Sequence, residues 1–240
     1  LATTPSHVGD APGVSESAMR IDAGTAMIAV ERARLEADLE DRAAAYLAAL
    51  PTDGRVLDLS RDSSVAPRVA DTGLDVRTVS LDPAAVEQRA APGVAAELGD
   101  PLEALEHSDA ASLAGITAVG LGDQLTPDQW LAFTPMAFRA LHDDGVVVLE
   151  MFNSTTPAAV ALRSREPGLP PPTHPETLSF LFRTAGFREV EVRFVGAFPD
   201  DQSVPITSEP DWFEHRLNIM ADTINRLVVG QPFVALIARR

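Results

Sequence analysis

Apolar runs of strand length alternate with segments of helical spacing through most of this chain. We predict strands at residues 55–59, 76–81, 93–97, 115–121, 145–151, 189–198 and 233–238, and helices at residues 65–72, 86–90, 102–105, 127–141, 175–185 and 212–228. Alternation of this kind is typical of a largely parallel sheet with helices on both faces. The predicted fold class is therefore α/β.

The chain begins with a segment of different character. Residues 1–16 are rich in Pro, Gly, Ser and Thr, which predicts a flexible arm. Residues 26–50 predict a long helix, because apolar side chains recur there at helical spacing. We expect residues 17–240 to form one domain, with residues 17–50 as an N-terminal helical extension. The proline-rich residues 167–173 are predicted to be a linker or lid within it.

The helix predicted at residues 212–228 carries a stripe of apolar side chains. They are Trp212, Phe213, Leu217, Met220, Ile224 and Leu227. A stripe at this spacing most often faces a protein core. We therefore predict that this helix packs against the rest of the domain.

The most informative segment for function is the polar turn after the first strand, residues 60–64, which contains no glycine. In open α/β sheets a cofactor lies at the carboxyl end of this strand, and glycines there allow positive φ and a close approach of the ligand. Ser64 is predicted to cap the helix that begins at Val65, and Asp58 to be a structural acid. A functional alternative is that Arg61 and the helix N-terminus bind a different anion.

Composition narrows the classes of partner. The formal charge of −16 argues against nucleic acid and anionic membrane surfaces as partners. The chain has no cysteine, which excludes disulfides and thiolate metal sites, and no lysine, which excludes Schiff-base chemistry. No apolar run approaches the roughly 20 residues that span a bilayer. Residues 1–14 show no secretory pattern, so we expect no membrane insertion and a cytoplasmic location.

Several landmarks occur in the order found in a known family. They are Val56-Leu57-Asp58-Leu59, Leu81-Asp82-Pro83, Gly99-Asp100, Gly145 to Glu150, Asn153, His174-Pro175-Glu176-Thr177-Leu178, Ala185-Gly186-Phe187 and Val234 to Arg239. In these the chain resembles class I S-adenosylmethionine-dependent methyltransferases, particularly those of bacterial surface-polysaccharide pathways. The resemblance implies a Rossmann-like sheet that is mostly parallel with an antiparallel last strand, and S-adenosylmethionine as the cofactor of an active member.

The chain departs from that family in its glycine loop. The positions that the resemblance implies for the loop glycines are occupied by Ser60, Asp62 and Ser64. If Asp62 points into the crevice, it lies near the carboxylate of the bound methionine moiety. Two like charges about 4 Å apart repel by roughly 4 kcal/mol at an effective dielectric near 20, which is about three decades in affinity. The sequence therefore predicts that no S-adenosylmethionine is bound.

Other positions implied by the resemblance are partly retained. Ser80 stands where the ribose-binding acid is expected, Asp82 two residues later matches a less essential position, and Asp100 matches the position that contacts the adenine. After the fourth strand, Asp123 and Gln124 stand where a Glu-His pair is usual. The cofactor site is therefore predicted to be vestigial.

On the substrate side, the resemblance retains Asn153 and His174. Histidine side chains can act as general bases near neutral pH, so His174 is a candidate general base, or alternatively a histidine that makes structural hydrogen bonds at a helix start. The remaining histidines lack metal-ligand spacing. The Asp143-Asp144-Gly145 segment predicts a tight connection, because it lacks the alternating acids of a calcium loop. No metal site is predicted.

Three functions fit these patterns. The first is a pseudoenzyme: a non-catalytic methyltransferase-fold subunit or regulator in a glycan or surface-polysaccharide pathway. Its protein partner would be an active methyltransferase, a glycosyltransferase or a second copy of the chain. The second is an active O-methyltransferase that transfers the methyl group of S-adenosylmethionine to a sugar or glycan hydroxyl. The third uses the crevice for another small anionic ligand beside Arg61.

Overall fold

The computed structural model describes residues 47–61, 64–166, 168–198 and 203–240. The chain divides into two compact units, residues 1–37 and 38–240, and every described residue belongs to the second. The predicted arm at residues 1–16, and the predicted helical extension apart from its last residues 47–50, lie outside the described residues. They stay predictions.

A seven-stranded sheet forms the centre of the second unit. Its strands are β1 (Arg55–Asp58), β2 (Asp75–Ser80), β3 (Val94–Leu98), β4 (Leu113–Val119), β5 (Leu141–Phe152), β6 (Glu189–Val195) and β7 (Phe233–Arg239). Their spatial order is β3-β2-β1-β4-β5-β7-β6. β7 runs antiparallel to both of its neighbours, and the remaining pairs are parallel. The predicted fold class, with its antiparallel last strand, is confirmed.

Helices connect these strands. They are α1 (Val65–Asp71), α2 (Pro83–Gln88), α3 (Pro101–Glu106), α4 (Pro127–Ala140), α5 (Pro157–Arg163), α6 (Pro175–Ala185) and α7 (Trp212–Ile224), the last continued by a π-helical turn, Asn225–Val229. Most begin with a proline in the first turn, where the missing N–H costs nothing. Sequence patterning missed α5, a helix of seven residues.

The core lies on both faces of the sheet, because alternate residues of each central strand point to opposite sides. On one face Leu57 and Leu149 pack with Phe133 of α4 and Phe182 of α6. On the other face, residues such as Val56, Val146 and Val148 pack with Val65, Ala66 and Val69 of α1. Within the described residues, no helix is long and apolar enough to cross a membrane.

Three local predictions were wrong. Ser64 stands at the N-cap of α1, but its side chain makes no capping hydrogen bond, because the residue has helical φ and ψ. The segment Asp143–Gly145 is part of the long strand β5 and interrupts its register with β4, with Asp144 at a φ of 66°. The apolar stripe of α7 faces outward: among its thirteen residues, all of which are described, only Ala221 is buried.

Candidate functional site at the carboxyl ends of the parallel strands

The chain that follows β1 stays hydrogen-bonded to its neighbour β4. The amide of Leu59 donates to the carbonyl of Thr117 at 2.7 Å, and the amide of Arg61 donates to the carbonyl of Val119 at 2.8 Å. The side chain of Ser60 is buried and accepts from the amide of Val119. The backbone pairing with β4 thus continues beyond the end of β1 as far as Arg61, at the edge of the sheet where a cofactor lies in open α/β folds.

Asp58, the last residue of β1, is fully buried. Its carboxylate accepts hydrogen bonds from the hydroxyls of Thr78 and Thr117, both at 2.7 Å, and from the amide of Ser60. Burial raises the pKa of Asp58, although these hydrogen bonds and the charge of Arg89 act in the opposite direction. All of these partners belong to the protein, which agrees with the interpretation of Asp58 as a structural acid.

Arg89 follows α2 and is completely buried. Its Nη1 donates to the Thr78 hydroxyl at 3.0 Å, and its Nη2 donates to the carbonyls of Ser60 and Arg61. Its Nε is buried without a hydrogen-bond partner. The backbone carbonyls after β1, which would otherwise be open to a cationic ligand group, therefore accept from a guanidinium of the protein itself.

The side chain of Arg61 lies at the same crevice. A Cβ atom added to Gly120, the residue after β4, would be 3.4 Å from the Cβ of Arg61, so the two residues are in contact. Nη1 of Arg61 forms an ion pair with Glu166 at 2.9 Å, and the Glu166 side chain is 13% exposed. This pair joins the end of β1 to the segment after α5. It gives Arg61 an internal anion in place of the external ligand considered above.

A second ion pair, more deeply buried than the first, lies after β4. Nε of Arg163, at the end of α5, donates to Asp123 at 3.1 Å, and both side chains are less than a tenth exposed. Arg163 also donates to the carbonyl of Pro170. The other oxygen of Asp123 accepts from the amide of Phe152, at the end of β5. Arg163 thus links the proline-rich connection before α6 to Asp123, which follows β4. Asp123 in turn is hydrogen-bonded to the end of β5.

Burial raises the pKa of Asp123 from 3.8 to about 6. Because the folded state holds this proton more tightly than the unfolded state, Asp123 contributes most stability below pH 4, and the contribution is lost as pH rises through 6. We expect the unfolding free energy of the wild type, relative to Asp123→Asn, to fall by about 3 kcal/mol over that range. Urea unfolding of both proteins between pH 4 and 7 measures this fall. If the difference between their unfolding free energies did not change with pH, the raised pKa would be contradicted.

The remaining predicted cofactor positions also make internal hydrogen bonds. Asp82 caps α2 through the amide of Ala84, and Asp100 caps α3 through the amide of Leu102 at 2.7 Å. The hydroxyl of Ser80 accepts from the amide of Asp82. The structure places Ser60, Ser64, Ser80, Asp82 and Asp100 at or just after the carboxyl ends of β1, β2 and β3. Asp62 lies outside the described residues.

On the substrate side, Asn153 is buried, and both polar atoms of its side-chain amide form hydrogen bonds within the protein. Its Nδ2 donates to the carbonyl of Gln231, and its Oδ1 accepts from the amide and hydroxyl of Thr155. His174 is exposed and caps α6, with Nδ1 accepting from the amide of Glu176 at 3.2 Å. A neutral histidine that accepts at Nδ1 carries its proton on Nε2, so in this arrangement the ring has no free lone pair for a general base.

Sequence reasoning missed Arg89, Arg163 and Glu166. Each lies in a segment without a motif, and a buried arginine has the same local pattern as an exposed one. No local signal in the sequence could have found them. Among the residues that the structure describes, no three histidine or acidic side chains come together as metal ligands.

Comparison with known proteins identifies the fold. No family model matches the chain, and no curated protein matches its sequence. A SAM-dependent methyltransferase from Archaeoglobus fulgidus matches with a TM-score of 0.76 at 19% identity, over 84% of this chain and 93% of that one. A chain from the complex between the Haloferax volcanii Trm112 methyltransferase activator and a protein described as a methyltransferase matches with a TM-score of 0.62 at 16% identity, over 91% and 96%.

A third solved structure covers nearly the whole chain. The 1,6-didemethyltoxoflavin-N1-methyltransferase of Burkholderia thailandensis, solved with its substrate and S-adenosylhomocysteine, matches with a TM-score of 0.55 at 20% identity, over 97% of this chain and 93% of that one. At such identities the likeness shows the fold alone. The chain has the class I fold of S-adenosylmethionine-dependent methyltransferases.

Proposed function

We propose that this chain is a pseudoenzyme of the methyltransferase fold, which binds no S-adenosylmethionine in the usual crevice and acts through a protein partner. The observation that carries the proposal is the buried guanidinium of Arg89 on the carbonyls of Ser60 and Arg61. Ser60 and Arg61 are the second and third residues after β1, where the resemblance implies that the family's cofactor loop begins. Here their carbonyls are already used within the protein.

The ion pairs around the crevice support the same conclusion. For a cofactor to lie against Gly120, the side chain of Arg61 would have to move and its pair with Glu166 would have to open. Glu166 is largely buried, so opening this pair takes the Arg61 guanidinium away from a largely desolvated carboxylate, which is costly. Unlike a glycine loop, this arrangement is not preorganised for a ligand. Any cofactor affinity is reduced by the free energy of rearranging it.

The partner and the pathway follow from weaker observations. The Haloferax volcanii complex shows that a protein of this fold can be solved together with an activator protein, and a protein without its own chemistry needs such a partner to act. The glycan or surface-polysaccharide pathway rests on the sequence resemblance, whose landmarks include His174 to Leu178. We propose an active methyltransferase, a glycosyltransferase or a second copy of this chain as the partner.

Calorimetric titration with S-adenosylmethionine and S-adenosylhomocysteine tests the proposal. We expect no binding heat and no thermal stabilisation of the wild type up to about 1 mM ligand, a range in which a micromolar site would saturate. An active methyltransferase titrated alongside verifies the ligands, and circular dichroism verifies folding. As a matched variant, Arg61→Ala removes the side chain beside Gly120 and keeps Arg89, so it should bind more tightly than the wild type.

A micromolar affinity in the wild type would contradict the pseudoenzyme and favour the active alternative. One observation favours that alternative: Asp100 still lies just after β3, where the resemblance implies the adenine contact, and Asp82 keeps the less essential position after β2. In that case S-adenosylmethionine would supply the methyl group for direct transfer to a sugar hydroxyl. The protein would contribute mainly positioning, because His174 in its observed arrangement is a hydrogen-bond donor at Nε2.

A further inference from the structure

The exposed face of α7 has the pattern of a helix–helix interface. Phe213, Leu217, Met220 and Ile224 follow one another at spacings of four, three and four residues, which is the spacing of a heptad seam. All four are exposed, Met220 to 61%. Leu227 and Val228 extend the seam, and Trp212, 73% exposed, and Ile219 widen it on one side. The face therefore has the pattern of a buried surface, but its side chains are exposed within the described chain.

This apolar face is large for the surface of a monomer. Its exposed side chains present roughly 700 Å² of apolar surface, above the 300–600 Å² of the largest patch on a typical monomer. The value is close to the ~800 Å² that each partner contributes to a standard protein interface. The face alone is thus large enough to hold a specific complex.

Side-chain hydrogen bonds order the first turn of the helix and join the helix to the chain before it. Its first turn is fixed by a capping box: the carboxylate of Asp211 accepts from the backbone amide of Glu214, and the carboxylate of Glu214 accepts from the backbone amide of Asp211. The chain before it lies alongside the helix and is clamped twice: Asn218 exchanges two hydrogen bonds with the backbone of Thr207, and Asn225 exchanges two with that of Val204. A preorganised apolar surface binds at a lower entropic cost.

We propose that a second copy of this chain covers this face, with the two α7 helices antiparallel about a two-fold axis. Antiparallel pairing sets the N-terminal end of one helix beside the C-terminal end of the other, so that the two helix dipoles run in opposite directions. Parallel pairing would bring the like ends of the two dipoles together. The antiparallel pair is also isologous, so each copy contributes the same surface and the assembly closes at two.

The seam suits this arrangement. In the register that sets Phe213 against Ile224 of the partner subunit, Leu217 lies against Met220 of the partner subunit, and both contacts recur on the other side of the axis. Every layer therefore joins two apolar side chains. The inference does not rest on the proposed function, because it concerns α7 and not the crevice. The cofactor titration can therefore contradict the proposed function while sedimentation still shows the dimer, and the reverse.

Sedimentation of the full chain, from low micromolar to about 100 µM, tests the surface. We expect the wild type to be a dimer and Leu217→Glu/Met220→Glu to raise the dimer Kd by about 100-fold or more, because charge is placed in the centre of the seam. Phe180→Glu is the matched control, since Phe180 is 67% exposed but lies on α6, and it should leave the Kd unchanged. A monomeric wild type, or a dimer that survives the double substitution, overturns the proposal.

Cysteine cross-linking tests the orientation, on a chain that has no cysteine of its own. A mixture of Phe213→Cys and Ile224→Cys chains should form a disulfide between the two variants on mild oxidation, because only opposed positions approach within bonding distance. Each variant alone should cross-link much less. Efficient cross-linking of Phe213→Cys with itself would overturn the antiparallel arrangement. Circular dichroism of each variant verifies that the fold is intact.

Discussion

Replacing Arg89 with methionine should lower the free energy of unfolding by about 3–5 kcal/mol, the cost of breaking a buried charge network by removing one member. Methionine keeps most of the aliphatic volume. It leaves the carbonyls of Ser60 and Arg61 without the guanidinium donor, and it removes a cation that lowers the pKa of the buried Asp58 carboxyl. Urea unfolding monitored by circular dichroism gives the loss directly.

Two further proteins make this result specific. Arg77→Met removes an arginine that pairs with Glu97 at the surface, and it should cost no more than about 1 kcal/mol. In Asp58→Asn/Arg89→Met the buried carboxylate is replaced by a neutral amide, which does not need a cation. The loss of unfolding free energy in the double variant should therefore be smaller than the sum of the two single losses by about 1–3 kcal/mol. Additive losses would mean that Arg89 and Asp58 act independently, and a small loss in Arg89→Met would contradict its role in holding the loop.

Gly230→Ala should cost about 3 kcal/mol through a different mechanism. Gly230 follows the π-helical turn with φ at 60° and ψ at −149°, a region that is essentially restricted to glycine. An added Cβ would lie 2.5 Å from Cγ2 of Thr156, next to α5. Backbone strain and steric overlap each contribute about 1–3 kcal/mol. Thermal and urea unfolding measure the loss.

Gly73→Ala separates these two contributions. Gly73 also has positive φ, at 92°, but an added Cβ would meet nothing within 4 Å. Its replacement should therefore cost only the strain, about 1–2 kcal/mol. Equal losses at the two positions would show that Gly230 is required for its backbone conformation alone and that the contact with Thr156 relaxes freely.

The elements of the sheet could be predicted because their signals are local. The apolar run at residues 145–151 and the proline and polar caps around α6, Pro175–Ala185, depend on neighbouring residues and on backbone geometry alone. The polar turn after β1 was found in the same way, as a loop without glycine. In each case the residues that decide the conformation lie within about one turn of helix or one strand of each other.

The contacts of Arg89 and of Arg61 at the crevice could not be predicted, because they join distant parts of the chain. Arg89 reaches a carbonyl 29 residues away, and Arg61 pairs with Glu166 across 105 residues. The sequence places a charge at each position but does not indicate which charge is buried or with which partner. The same limit explains why the exposure of α7 was not predicted. Its apolar spacing is the same whether the helix packs inside its own domain or against another protein surface.

By itself, the sequence determined the order of the described strands and of the described helices except α5, the fold class and the absence of glycine from the turn after β1. These depend on periodicity and on residue types at single positions, which act over short distances. Only the tertiary structure decided which side chains contact the turn after β1 and which apolar face stays exposed. Burial depends on every element that surrounds a side chain, so the free energy of a buried guanidinium such as that of Arg89 is set by the whole fold and not by its neighbours in the chain.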